Sequence, residues 1–331
     1  MKEKVWTISL AIVFLAVFSV AFFFIYTDKA VLGEQTDIIW DGSTIATSFS
    51  GGNGTKENPY LIKNGEELAF LKQLLDGNQA TSYQDLYYEL TEDINLGSHD
   101  LGPIGIETPF SGKFNGNGHV IKNISIIGEN NPEKINYYGL FGNIKSADIS
   151  NLTIDGFKIS IVGEGITKLG TLAATIVNDN KEDNNINNVL IKGIDIDTTE
   201  AKLLDESSIS CLIGDIDKGY IINNIVLMVN VKSKDSAFIL SNTVKSDIKN
   251  VIYSIKSDPE LQKGEYDKDI KANNIYEYKD GKYYLDNKEV KESTVLAEFN
   301  KDLSDYEWSF AEDDITFKSI KKVEKKLNLM K

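Results

Sequence analysis

The sequence contains no arginine; all 35 of its basic residues are lysine, set against 50 acidic residues. A formal charge of −15 without one guanidinium makes a poor candidate for nucleic-acid binding, and no nucleic-acid partner is expected. There is one cysteine, Cys211, so no intramolecular disulfide and no cysteine zinc cluster is available. Cys211 lies in an apolar segment and reads as a small core residue rather than a nucleophile. The two histidines, His99 and His119, have no sequence-near metal partner and read as turn or packing residues. The patterns H-E-x-x-H, G-x-S-x-G and the P-loop are all missing, which removes zincin, serine-esterase and P-loop chemistry. No lipobox cysteine, C-terminal apolar tail or sortase-type motif occurs. What is present is 41% hydrophobic and 26% charged over 331 residues, a globular composition. It suits two ordinary domains or one elongated repeat domain.

Residues Val5 to Tyr26 form one stretch of 22 positions without a charge. At about 1.5 Å per residue it would span roughly 33 Å, enough for a bilayer core. Trp6 and Tyr26 sit at its ends, where amphipathic rings favour the membrane interface. Lys2 and Lys4 precede it and predict an inside N-terminus, residues 1–4, with the remainder outside. The alternative is a secretory signal, but the stretch is long for one, and Thr27-Asp28-Lys29-Ala30 is a poor cleavage site. Residues 27–37 read as a polar linker.

The exported part begins with a Gly/Ser/Asn-rich stretch and a short strand, Pro59-Tyr60-Leu61-Ile62. A helix is expected over 64–76. Asn64 is its N-cap and Glu67 completes a capping box; Leu68, Leu71, Leu74 and Leu75 form one apolar stripe, and Gly77 ends it. Beyond residue 86 the segments become short and β-like, and a repeat appears: apolar, any residue, Asn, apolar. It occurs at Ile121-Lys122-Asn123-Ile124, Ile149-Ser150-Asn151-Leu152, Ile186-Asn187-Asn188-Val189, Ile222-Asn223-Asn224-Ile225 and Ile248-Lys249-Asn250-Val251. A weaker copy is Ala272-Asn273-Asn274-Ile275. The asparagines are 28, 37, 36, 26 and 24 residues apart, a spacing typical of repeat arrays. Such a unit cannot bury its apolar face alone, so stacking in parallel is expected. Asn tolerates left-handed backbone, and stacked amides can bond from layer to layer. The expected structural ladder is therefore Asn123, Asn151, Asn188, Asn224, Asn250 and Asn274. The bland reading is surface turns in a chain of 29 asparagines; six occurrences in one apolar frame favour the ladder.

Two further blocks are distinctive. One is Gly52-Asn53-Gly54-Thr55-Lys56-Glu57-Asn58-Pro59-Tyr60-Leu61-Ile62 with Glu66-Glu67-Leu68, followed by Tyr88-Glu89-Leu90-Thr91-Glu92-Asp93-Ile94-Asn95-Leu96 and Pro103-Ile104-Gly105. The other is Phe110-Ser111-Gly112-Lys113-Phe114-Asn115-Gly116-Asn117-Gly118-His119-Val120-Ile121, then Gly139-Leu140-Phe141-Gly142. In this order they resemble the bacterial right-handed parallel β-helices with GLUG-type repeats. Those occur in adhesin-like surface proteins and in N-terminal regions of IgA-protease-type metallopeptidases. The resemblance implies a mainly β solenoid and surface exposure; it does not imply an activity, because the fold hosts many functions. On the residues' own pattern, helix 64–76 is expected as the N-terminal cap, preceded by one transmembrane helix over 5–26. Later repeats lose the Gly-Leu-Phe-Gly form.

The expected organisation is an anchor over 5–26, a β-helix over 38–263 and a C-terminal cap over 264–331. Within the cap, Asp280-Gly281 predicts a hairpin, Glu292 to Leu303 a helix, and Trp308–Phe310 and Ile315–Phe317 closing strands. The tail from Lys318 holds six lysines and one glutamate and reads as a solvated helix. The expected function is a non-catalytic, membrane-anchored surface module or scaffold whose ligand is a carbohydrate or a protein. One rival is a carbohydrate-active enzyme, which needs paired carboxylates. The other is an accessory subunit of a pilus or secretion assembly. No cofactor is expected. Acidic turns such as Glu92-Asp93, Glu182-Asp183 and Asp313-Asp314 leave weak room for calcium, without EF-hand spacing.

Overall fold

The computed structural model describes residues 37–77, 80–177, 184–216, 220–235, 237–241, 243–244, 247–258, 265–266, 272–311 and 314–319. The expected anchor with Trp6 and Tyr26, residues 1–4, and nearly all of the linker lie outside the described residues. Among the described residues no helix is long and apolar enough to cross a membrane. The chain divides into two units, Met1–Ile38 and Ile39–Lys331, and the second is described below.

The unit is mainly β. Its main sheet runs β1 (Tyr60–Ile62), β2 (Tyr87–Leu90), β3 (Lys113–Asn115), β4 (Asp148–Gly170), β5 (Asn184–Leu203), β6 (Tyr220–Lys232), β7 (Asp247–Asp258), β8 (Ala272–Lys279), β9 (Lys282–Leu285) and β10 (Lys288–Val290). Every neighbour pair from β1 to β8 is parallel, and spatial order follows chain order. A second parallel sheet joins Phe141–Ile144, Ala173–Ile176 and Ile213–Ile216. Further parallel pairs join Ile135–Tyr138 and Ser208–Ser210 to the far end of β4.

Register stacks like on like. Phe114, Ile149, Ile186, Ile222 and Ile248 are successive partners across β3 to β7, and all are buried. Each such side chain removed from water contributes about 1.5–3 kcal/mol. The repeat motif now has a geometric reason. In a regular strand Ile149 and Leu152, three apart, would face opposite sides. Asn151 takes φ 55° and turns the chain, so both are buried. Asn188, Asn224, Asn250 and Asn274 repeat this bend with φ between 54° and 56°.

Helix α1 (Gly65–Asp76) covers one end of this core. Asn64 is extended and its side chain accepts the Glu67 N–H at 3.0 Å. Leu68, Leu71 and Leu75 are fully buried, and Leu74 is half-buried. The capping box is altered: Glu67 accepts the Lys63 N–H at 2.9 Å, one residue before the cap, and the Ser50 hydroxyl at 2.5 Å. Gly77 leaves the helix in extended geometry, φ −93°, not left-handed.

The C-terminal segment differs from expectation in two ways. First, parallel pairing continues to Tyr253–Glu277, so β8 extends the parallel part of the main sheet into the range expected for the C-terminal cap. The sheet then ends antiparallel through Asp280 (φ 51°) and Gly281 (φ 75°), and again through Asp286 and Asn287. Second, helix α2 (Glu292–Asn300) and the hairpin β11 (Tyr306–Ala311)–β12 (Asp314–Ser319) pack on the flank of the sheet. The outward row Leu190, Val226, Ile252 and Tyr276 meets Val295, Phe299, Trp308, Phe310 and Phe317 in a second core. Apolar side chains on this outer face need cover, and the fold-back supplies it.

Candidate ligand-binding face

Two adjacent rows on the main sheet hold the polar chemistry. The first is the asparagine row. Asn274 donates its side-chain amide to the Asn250 oxygen at 2.9 Å, and Asn250 donates to Asn224 at 2.9 Å. Asn224 donates to Asn188 at 2.9 Å, Asn188 to Asn151 at 3.0 Å, and Asn151 to Asn115 at 3.0 Å. Every bond points the same way along the sheet. Asn224 and Asn250 also reach the α2 carbonyls of Phe299 and Glu298, each at 3.3 Å, which ties the flank to the row.

Asn123 stands apart from this row. Its amide donates to Asn95 at 3.0 Å. Its flanking residues Lys122 and Ile124 pair with Asp155 and Phe157, so its counterpart on β4 is Gly156, also left-handed at φ 76°. The place expected for Asn123 is filled by Asn115, 36 residues before Asn151.

The row ends on a carboxylate. Asn115 donates to Glu89 Oε2 at 3.2 Å and Asn117 donates to Glu89 Oε1 at 3.3 Å. Tyr306 of β11 donates to Asn117 Oδ1 at 3.3 Å. The second row begins at the same residue: Glu89, Asn115, Ser150, Asn187, Asn223, Lys249 and Asn273 are successive register partners. Beside it Tyr87, Lys113, Asp148 and Asn185 are partners on β2 to β5. Lys113 Nζ lies 2.7 Å from Asp148 Oδ2, and Asp148 Oδ1 accepts the Asn185 N–H at 2.9 Å.

A groove of about 420 Å³ opens over β2 to β4. Lys56, Tyr87, Glu89, Lys113, Asp148 and Ser150 line it together with the buried residues Tyr88 and Phe114. None of these residues stands out in the sequence as a site. The readable signal is spacing: Glu89 precedes Asn115 by 26 residues, as Asn224 precedes Asn250.

Other candidates are absorbed by structure. His119 is buried with Nδ1 3.0 Å from Asp93 Oδ1, and Asp93 also accepts the Val120 N–H at 3.1 Å. The His119 hydrogen bond, more than any other contact, holds the Asp93 carboxyl below the ordinary range. His99 lies edge-on to Trp40 at 6.2 Å. Cys211 is fully buried, and that burial pushes its thiol well up. Asp314 pairs with Lys192 at 2.7 Å; Glu182 and Asp183 lie outside the described residues. Among the described residues no three His, Cys, Asp or Glu side chains gather closely enough to hold a metal ion.

No family model matches the chain. A protein of Evansella cellulosilytica named as a Gly-rich membrane protein is 34% identical over 155 residues, 46% of this chain and 16% of that protein. Halomucin of Haloquadratum walsbyi is 32% identical over 148 residues, 43% of this chain and 2% of its own length. The chain thus spans a small part of either relative. A crystal structure from Bacteroides ovatus carrying the name of an immunoglobulin A1 protease aligns with 81% of this chain and 95% of its own, at 13% identity and a TM-score of 0.45.

Proposed function

We propose that the chain is a membrane-anchored, extracellular right-handed parallel β-helix of the GLUG-repeat kind. It acts as an adhesin-like binding module or surface scaffold, without catalysis and without a cofactor. Solenoid closure is supported by parallel pairing in chain order from β1 to β8 and by the repeated left-handed bends. Parallel crossovers are overwhelmingly right-handed, which sets the hand. The anchor is residues 5–26; the similarity to a protein named as a membrane protein favours it.

One observation carries the binding reading: seven polar side chains, Glu89 to Asn273, stand in register down one face. A repeated row presents equivalent groups at about 4.8 Å intervals, which suits an extended polymer or a repetitive surface and gains by avidity. The hydrolase reading is weaker because both carboxylates of the groove are already engaged, Glu89 by the amides of Asn115 and Asn117 and Asp148 by Lys113.

The test is to express the full tagged chain in a bacterial host, fractionate it, and add protease to intact cells. The expected result is a membrane-bound chain that keeps residues 5–26 and is cut from outside. A chain found in the cytosol, or secreted without residues 5–26, would sink the anchored reading. New reducing ends or unsaturated sugars from added polysaccharides would sink the non-catalytic one.

A further inference from the structure

We propose that the groove over β2 to β4 is a binding site for a neutral polysaccharide chain, laid across the strands. This rests on the surface-binding reading and names its site and ligand class. Charge is the first argument. Lys56 and Lys113 balance Glu89 and Asp148 within the groove, so neither a polyanion nor a polycation is favoured by Coulomb attraction. The groove brings donors, Lys56, Lys113 and the Ser150 hydroxyl, together with the acceptors Glu89 and Asp148, a mixture that sugar hydroxyls, which both donate and accept, can satisfy.

Fixation is the second argument. The Glu89 carboxylate is the end-point of a directed row of amides and is gripped by Asn115 and Asn117. Asn117 is braced in turn by Tyr306. Acceptors already held in place bind without paying for their own ordering. Tyr87 is the third element. Its half-buried ring lines the groove in the same outward row as Lys113 and Asp148. An aromatic face offers an apolar platform to the C–H face of a pyranose and keeps its hydroxyl for a further bond. The volume of about 420 Å³ lies within the range of small-ligand sites. Past the groove, Asn187, Asn223, Lys249 and Asn273 continue the row, so a chain is favoured over a single sugar.

The experiment uses the full chain in detergent. Binding is measured to mannan, β-glucan, chitin and cellulose, to polygalacturonate as the anionic probe, and to isolated cell envelopes. The expected result is binding to at least one neutral polymer that persists at roughly 0.5 M salt, where exposed charges are screened. Tyr87→Ala and Glu89→Gln should each weaken it about tenfold or more. Lys282→Ala, on β9 at the far end of the sheet, should leave it unchanged. Equal binding by wild type and both groove variants overturns the groove and leaves the surface-binding reading standing. Salt-sensitive binding to polygalacturonate alone overturns the ligand class. No binding to any polymer or to envelopes overturns both. Urea midpoints of the variants separate lost binding from lost fold.

Discussion

Asn188 donates its side-chain amide to the amide oxygen of Asn151 at 3.0 Å, although 37 residues separate the two in the chain. Asn151, Asn188, Asn224, Asn250 and Asn274 thus each do two things: each bends its own strand at positive φ and bonds the strand before it. The two roles can be measured separately at Asn224. Asn224→Gly keeps the bend but orphans the Asn188 oxygen, at about 1–3 kcal/mol. Asn224→Ala adds the left-handed backbone cost of about 1–2 kcal/mol. Urea unfolding of both variants should rank wild type, glycine, alanine in falling order. Equal midpoints for the two variants would remove the conformational role.

The flank is tested at Trp308, which is fully buried against Phe299 and Phe317. Trp308→Ala should cost about 3–5 kcal/mol locally. Because Trp308 packs within the second core, against α2 and the hairpin partner strand, the loss should appear first in α2 and the β11–β12 hairpin. Hydrogen exchange should rise across 292–319 while β4 to β6 stay protected. Uniform loss of protection would mean that flank and stack unfold as one.

The bends of the stack were legible because their cause is local. An apolar residue three positions after another, with Asn before the second, has one way to keep both inside. Helix α1 was legible for the same reason: cap, stripe and stop are contiguous in sequence. The partner of Asn123 was not legible. Its motif matches that of Asn151, yet connection lengths set its register against Gly156 and give Asn115 the expected place. The groove was hidden likewise, since Tyr87, Glu89, Lys113 and Asp148 meet only across three strands. The fold-back of the C-terminus did leave a trace. Leu190-Ile191, Val226-Leu227 and Ile252-Tyr253 are adjacent apolar pairs, the mark of strands covered on both faces.

Cys211 offers a reading of core integrity. Its thiol is buried and pushed up, so little thiolate is present at neutral pH. The native protein should not react with a thiol reagent over hours, and should react within minutes once unfolded. Rapid labelling of the native chain would contradict the packing of Ile209 to Ile213.

Acid should reveal the Asp93–His119 contact. Asp93 accepts from His119 and from the Val120 N–H, and its folded carboxyl lies below the ordinary value of about 3.9. A depressed carboxylate binds its proton more weakly in the folded state than in the unfolded one. Its stabilising effect is therefore complete above about pH 4 and declines as pH falls below that. It is gone once pH has fallen through the folded value. Asp93→Asn keeps an acceptor oxygen but removes the charge and the titration. Urea midpoints for wild type and variant should differ at neutral pH and converge below about pH 4. A gap that stays constant into the acid range would mean that shape, not charge, holds His119 in place.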